Sequence, residues 1–404
     1  MSTGVSMYHA VDNQLIRPGR SQESATLERP TGPGYVRWED IYVTGDTMQQ
    51  TFNRVPLDAN GQKQIVTFPE GLFEYTGFNE GYYEGFRIGG PDGHAGGVRG
   101  IWGSGRNTIF RPKANTANRQ LPGNIAGDQF GFNRVDNAVL KNFALHGTPQ
   151  NGLYYTGIKM YMSHNLEIDN LYLRGASPGY SNYPPGETFG LNIFQCTDAL
   201  VQNCEIDGRD ANGNRSSSSP LGWNGTGAPG AAGNLSKNAT VKNVYAHHSI
   251  AGMLTFWQTL NVYTEDYYSY SNGSGSGSLS GAGINHEESN GVIRHIRPKL
   301  YLTGYKSTEP GHTQNNSSHM TMQNTTADMT DVQVIEPEFD TSHSPTGMFC
   351  VSQYEHYTNK TTGATDKVES RPKIIYKGVQ LQAKDHPTKG WGDWPRDQYF
   401  AVIH

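Results

Sequence analysis

The side chains able to do acid–base work gather on one short stretch and on its echo downstream. In Val201-Gln202-Asn203-Cys204-Glu205-Ile206-Asp207 two carboxylates stand two residues apart. On an extended strand that spacing puts Glu205 and Asp207 on one face, about 7 Å apart. This falls near the separation at which an inverting glycosidase leaves room for a water. The same pair also suits a lyase, with Arg174 neutralising a uronate and His247 or a tyrosine taking the proton. Arg209 and Asp210 lie within reach of the pair. The catalytic candidates are Glu205, Asp207 and His247, for hydrolysis or for elimination.

A second titratable cluster, Gly283-Ile284-Asn285-His286-Glu287-Glu288-Ser289-Asn290, is one residue short of a zinc signature, because Asn290 stands where His-Glu-x-x-His needs a histidine. It reads as a glycan contact through His286 and Glu287, or as an ordinary turn. His247-His248 is weak as a ligand pair, since neighbours on a strand point to opposite faces; with His247 outward, His248 is expected inward or in the turn. Gly225-Thr226-Gly227-Ala228-Pro229-Gly230 matches the dinucleotide fingerprint in letters only, without a strand–helix context. No metal and no cofactor is read from the sequence.

What positions these residues is a repeat. A pattern of apolar, any, Asn, apolar, any, apolar occurs as Leu140-Lys141-Asn142-Phe143-Ala144-Leu145, Ile168-Asp169-Asn170-Leu171-Tyr172-Leu173, Val201 to Ile206, and Val241-Lys242-Asn243-Val244-Tyr245-Ala246. A degenerate copy starts at Thr264, with Asp266 in the Asn place, and later copies start at Ile293 and Val332. Successive starts are 28, 33, 40, 23, 29 and 39 residues apart. Alternating apolar residues make a short strand with one buried face. The alternation shifts phase at Asn, the non-glycine residue that best tolerates a left-handed backbone and can turn the chain sharply. Stacked Asn side chains can also hydrogen-bond in a ladder. No unit can bury its apolar face alone, whereas stacked coils build a continuous core. The fold class is all-β, a right-handed parallel β-helix with long inserted loops and short terminal caps.

With the first apolar position as zero, positions four and six point outward. Position four reads Ala144, Tyr172, Glu205, Tyr245, Tyr268; position six reads His146, Arg174, Asp207, His247, Tyr270. Flat aromatics beside carboxylates suit sugar rings, which makes Tyr172, Arg174, Tyr245, Tyr268 and Tyr270 substrate-binding candidates beside His286 and Glu287. Strand propensity and cross-strand pairing alone also produce such columns. Arg297 and Lys299 are expected to stack on Glu336 and Glu338 as a salt-bridge ladder.

Composition excludes several alternatives. Of 404 residues 35% are hydrophobic and 17% charged, with 49 Gly, which leaves too few helix formers for a bundle. The 23 Tyr and a net charge of only -5 argue against disorder and against a nucleic-acid footprint. No apolar run is long enough to cross a membrane. The start, Met1-Ser2-Thr3-Gly4-Val5, reads as lacking a secretion signal. Cys196, Cys204 and Cys350 read as small core residues.

Earlier in the chain, Thr67-Phe68-Pro69-Glu70-Gly71-Leu72-Phe73 and Arg99-Gly100-Ile101-Trp102-Gly103-Ser104-Gly105-Arg106-Asn107-Thr108-Ile109-Phe110 alternate strands with glycine turns. These segments resemble the opening coils of the pectate-lyase-like right-handed β-helix superfamily, over residues 36–385. The superfamily includes lyases, hydrolases, epimerases and phage tail proteins, so the resemblance speaks to fold more than to activity. The Asn-Thr-Asp, Asp-Asp and Gly-His-Gly blocks of its polygalacturonases are not found. The lack of a secretion signal, a Pro- and Gly-bearing arm over 1–35 before the β-helix over 36–385, and the Tyr-rich outer columns resemble a bacteriophage tailspike or minor tail protein; residues 386–404 read as a C-terminal cap or oligomer-contact segment. That resemblance implies a homotrimer on the virion, acting outside the cell, with host surface polysaccharide and other tail proteins as partners. A polysaccharide-degrading enzyme and a purely structural tail component are the alternatives. Long insertions at 175–190, 208–236, 271–283 and 307–328 are expected to wall a groove.

Overall fold

A computed structural model describes residues 26–75, 86–91, 93–112, 127–147, 154–174, 189–209, 213, 219–225, 235–249, 254–270, 283–287, 289–301, 320–323, 331–339, 348–349, 351–352, 357–358, 365–366, 373–385 and 398–401. Residues 1–25 of the expected arm, most of the four insertions, the glycine-rich stretch after Gly225 and residues 386–397 lie outside them.

The chain is a right-handed parallel β-helix. One sheet takes a strand from every coil in chain order: Phe86–Gly89, Gly127–Asn133, Tyr154–Tyr161, Phe189–Phe194, Ser219–Asn224, Leu254–Trp257, Ile284–Glu287, Met320–Gln323 and Val351–Ser352, all parallel. The longer strands Val139–His146, His164–Arg174, Ser236–His247 and Thr259–Tyr270 belong to a second sheet. In a third coil the equivalent strand is split into Thr197–Gln202 and Glu205–Asp207. Interior side chains stack in register: Leu191 on Leu221, Leu254 and Ile284, and Ile193 on Trp223, Phe256 and His286, all buried.

The Asn of the repeat marks the bend. Asn142, Asn170, Asn203 and Asn243 have φ of 57°, 54°, 53° and 50°, and Asp266 takes the same place at 52°. Their amides form a ladder: Asn170 Nδ2 donates to Asn142 Oδ1 at 2.9 Å, and Asn243 Nδ2 to Asn203 Oδ1 at 2.7 Å. A second left-handed column, Asn137, Asn165, Asp198, Asn238 and Asn261, turns each coil into this sheet. Part of it is laddered too, Asn165 to Asn137 at 2.6 Å and Asn261 to Asn238 at 3.0 Å.

The last two copies of the repeat sit in a different register from the one read in the sequence. Thr264 pairs with His295, not Ile293, so both copies sit two residues off the earlier coils, while Ile293 and Val332 pair with each other as read. The bend positions there are Arg297 (φ 48°) and Glu336 (φ 49°), which lack the Asn that would have marked them. Arg297 accordingly pairs with Glu265 and Asp266 at 2.8 and 2.7 Å, while Glu336 accepts the backbone N–H groups of Lys377 and Gly378. Of the expected ladder only Lys299–Glu338 forms, at 3.4 Å.

The N-terminal end is closed by the helix Met48–Asn53, which carries a Thr47/Gln50 capping box. Its Gln49 side chain bonds both the N–H and C=O of Arg87, satisfying the exposed edge of the first strand of the one-per-coil sheet. At the other end Gln398–Ala401 pairs antiparallel with Ala383–Asp385 and Met348–Phe349 of the same chain. Cys196 and Cys204 are buried free thiols. No helix among the described residues is long and apolar enough to cross a membrane.

A polar pair interrupts the core. His286 Nε2 lies 2.9 Å from His295 Nε2, and His295 Nδ1 lies 2.8 Å from Thr264 Oγ1, all fully buried. Burial disfavours the imidazolium, pushing His295 down from 6.5 to about 3 and His286 well below its ordinary value. A histidine whose folded pKa is depressed contributes stability that is complete above pH 6.5 and is lost as pH falls toward the folded value. Between pH 6.5 and 5, urea unfolding should show a loss on the order of 2 kcal/mol from His295 alone. The double variant His286→Leu/His295→Val should flatten that dependence, and an unchanged pH slope in the variant would contradict this account.

Candidate functional site

The outward columns of the second sheet come into register as the repeat implies. Ala144, Tyr172, Glu205, Tyr245, Tyr268 and Lys299 are successive Cα partners, as are His146, Arg174, Asp207, His247, Tyr270 and Tyr301. They are not evenly exposed. Glu205, Asp207, His247, Tyr245 and Tyr268 are 5%, 2%, 3%, 1% and 4% exposed, although they point away from the core. Tyr172, Arg174, Arg209, Tyr270 and His248 around them are half-buried. The strip is thus a buried polar floor with a more accessible rim. Tyr245 stacks between His247 and Tyr268, with centroids 4.4 and 4.9 Å away, and belongs to the floor rather than to a sugar platform.

Two buried carboxylates need compensation. Glu205 receives Arg106 Nη1 on Oε2 at 2.7 Å, and its Oε1 lies 3.2 Å from His247 Nε2. Burial alone would raise the Glu205 pKa, but the His247 hydrogen bond and the His247 and Arg106 charges outweigh it and hold the carboxyl at about 2. Asp207 accepts the Arg209 backbone N–H and Nε on Oδ1 at 3.0 and 2.8 Å, and Nη2 on Oδ2 at 2.8 Å. Burial raises its pKa too, yet the Arg209 clamp and the His247 charge leave it lowered. Burial and the two carboxylates push the Tyr172 phenol up to about 12.

Local backbone devices bring in the remaining groups. Arg106 arrives from a turn 99 residues earlier, in which Gly105 has φ +120°, and its guanidinium also lies 5.2 Å over the Tyr172 ring. After Asp207 the chain passes so close to the next coil that a Cβ on Gly208 would fall 2.5 Å from the Ser249 Cα. His248 lies in the turn just after the strand, one of the two places expected for it, with φ +59°. The left-handed turn swings it back, so that the two Nδ1 atoms are 2.7 Å apart. Asp207, His247 and His248 offer donor atoms all within 4.8 Å of one another, a set able to hold a metal ion.

Glu205, Asp207, His247, Tyr172, Arg174, Tyr245, Tyr268 and Tyr270 therefore share one strip. His286 does not join it: it lies inside the coil stack against Phe256, 4.9 Å between centroids, because its strand alternates in the opposite phase. The Glu287 side chain, Glu288 and Asp210 are outside the described residues. Arg106 was not foreseen, since only the coil register brings a residue that distant to Glu205. His146, visible in the outward column, was not singled out. Burial and the Arg174 and Arg111 charges push it down to about 4, and its Nε2 has no hydrogen-bond partner among the described residues.

No family model and no curated protein sequence matches the chain. Solved structures do. The A-module of the mannuronan C-5 epimerase AlgE6 of Azotobacter vinelandii is similar at TM-score 0.41 and 11% identity, over 85% of this chain and 94% of that one. ORF18 of Geobacillus virus E2 is similar at TM-score 0.40 and 12% identity, over 80% of this chain and 62% of the viral one, so the chain spans less than two thirds of that protein. Tailspike protein 3 of bacteriophage CBA120 is similar at TM-score 0.26 and 10% identity, over 93% and 68%. At these identities what is shared is the β-helix.

The Arg106–Glu205 pair is buried on both sides, with side chains 8% and 6% exposed. Breaking such a pair strands a charge, so Arg106→Ala should destabilise the chain by about 3–5 kcal/mol in urea unfolding. Arg106→Met/Glu205→Gln should recover much of the loss. Equal losses in the single and double variants would contradict the coupling.

Proposed function

We propose that the chain is a bacteriophage tail protein of the tailspike or minor-tail type, whose outer strip binds host surface glycan during adsorption. The observation that carries the glycan reading is the half-buried rim of Tyr172, Arg174 and Tyr270, set in register around a rigid, ion-paired floor. Aromatic faces and arginine forks are the groups that grip sugar rings and their oxygens. The floor is itself tied to the rim, since Arg209 clamps Asp207 with its Nε and Nη2, which holds the rim in place. The placement on a phage tail, the homotrimer and the other tail proteins as partners rest on the resemblance carried by the arm, the β-helix and the Tyr-rich outer columns.

Hydrolysis by the Glu205/Asp207 pair is disfavoured on geometry. A glycosidase needs one of its two carboxyls to deliver a proton, whereas here both are engaged as anions by arginines. Elimination has one observation in its favour, a neutral His146 in register with Arg174, a proton acceptor beside a cation. The two are separated by incubating the chain with envelope polysaccharide and measuring both retention and chain length.

Binding should be retained without shortening of the polymer. Tyr270→Ala and Arg174→Ala should each weaken it by roughly tenfold, the effect of losing on the order of 1.4 kcal/mol. Shortened products that vanish in His146→Ala would establish the lyase instead. Absence of both binding and cleavage would leave a structural tail component.

A further inference from the structure

We propose that Asp207, His247 and His248 form a binding site for a first-row divalent metal of the zinc type, at the foot of the outer strip. The proposal stands apart from the glycan reading and holds or fails without it. It starts from the contact between the two imidazoles. His247 Nδ1 and His248 Nδ1 are 2.7 Å apart, and His247 Nδ1 is 3.7 Å from Asp207 Oδ1. Ligand atoms held at zinc's usual 2.0–2.2 Å in a tetrahedral shell lie about 3.4 Å from one another, and the two separations bracket that value.

The His247 ring is already oriented for coordination. Its Nε2 faces Glu205 Oε1 at 3.2 Å, and an ionised carboxylate only accepts, so Nε2 is the donor there and Nδ1 is the atom left to meet an ion. Glu205 is in turn anchored by Arg106 at 2.7 Å. A carboxylate behind a histidine is the outer-shell arrangement that orients metal-bound imidazoles and raises their basicity. Without an ion, the Nδ1–Nδ1 contact needs one proton between the rings. On metal uptake that proton is released to solvent, as ordinarily happens when a histidine site fills, so the step balances without any co-reactant. Asp207 supplies the anion, held in place by the Arg209 fork.

The donor set selects the ion. Two imidazole nitrogens and one carboxylate suit Zn2+ and its neighbours, whereas Ca2+ and Mg2+ prefer shells built of oxygen. Three protein donors leave a position for water or a sugar oxygen. His248 is half-buried while Asp207 and His247 are buried, so His248 is the side from which an ion enters.

The test is equilibrium dialysis of the full chain, without an affinity tag, against Zn2+ and separately against Ca2+, with metal content measured per chain. Co2+ absorbance reports the coordination geometry. One Zn2+ per chain is expected, no Ca2+ at comparable concentration, and the intense visible bands of four-coordinate Co2+. His248→Asn removes the imidazole but keeps a residue that tolerates φ +59°, and should weaken Zn2+ binding at least tenfold with an unchanged far-UV spectrum. His164→Ala, at an exposed histidine of an earlier coil, should leave binding intact. No Zn2+ uptake by the parent chain, equal uptake by His248→Asn, or preferential Ca2+ binding would each overturn the proposal.

Discussion

The left-handed bend inside each coil is the constraint on which the rest of the molecule depends. A residue at φ near +55° costs most side chains 1–2 kcal/mol, and Asn and Asp bear it best. The bend fixes where one short strand ends and the next begins, and so fixes which residues of successive coils face each other. Asn142, Asn170, Asn203 and Asn243 share that geometry, and the amide bonds from 142 to 170 and from 203 to 243 tie neighbouring coils together. Two residues after each bend come the outward positions, and thus Glu205 beside Tyr245 and Asp207 beside His247. A slip of one residue would flip each of them to the other face.

That register is what makes the charged floor tolerable. Isolated carboxylates would not stay ionised beneath 5% exposure. Glu205 and Asp207 do so because Arg106, Arg209 and His247 arrive from a preceding turn, the following loop and the following coil. Most of the electrostatic work is therefore done by groups far apart in the chain. The floor is rigid because each member has more than one partner, and the half-buried rim inherits that rigidity. Preorganisation of this sort lowers the ordering cost of binding.

Much of this was legible in the sequence, and the illegible parts have physical reasons. The hexad with Asn at its third place disclosed the parallel coils, the left-handed bend and the outward columns from Ala144 to Tyr270. It failed at Arg297 and Glu336, where stacking on the preceding coils holds a residue of low left-handed propensity in the bend, so the pattern shifted by two. Burial of Tyr245 and Tyr268 was not legible either, because alternation tells which face a side chain takes and not what covers that face. The turn position of His248 was among the expectations, but alternation could not foresee that a left-handed backbone there brings its ring back onto His247. His286 read as a surface group for want of an alternating apolar partner, yet it occupies the interior column below Phe256.

Everything above requires the coils around Asn203 and Asn243 to stack in the stated register, and a cross-link tests that most directly. Gln202 and Lys242 are Cα partners 40 residues apart, both on the outward side of the sheet. The pair Gln202→Cys/Lys242→Cys should form a disulfide on mild oxidation, read by mass spectrometry of the linked peptides. Gln202→Cys/Thr240→Cys, displaced by two residues along the strand, should not, since its Cα atoms would lie about 8 Å apart, beyond disulfide reach. Cross-linking of the displaced pair in preference to the first would contradict the register, and with it the assembly of Glu205, Asp207, His247 and His248 into one site.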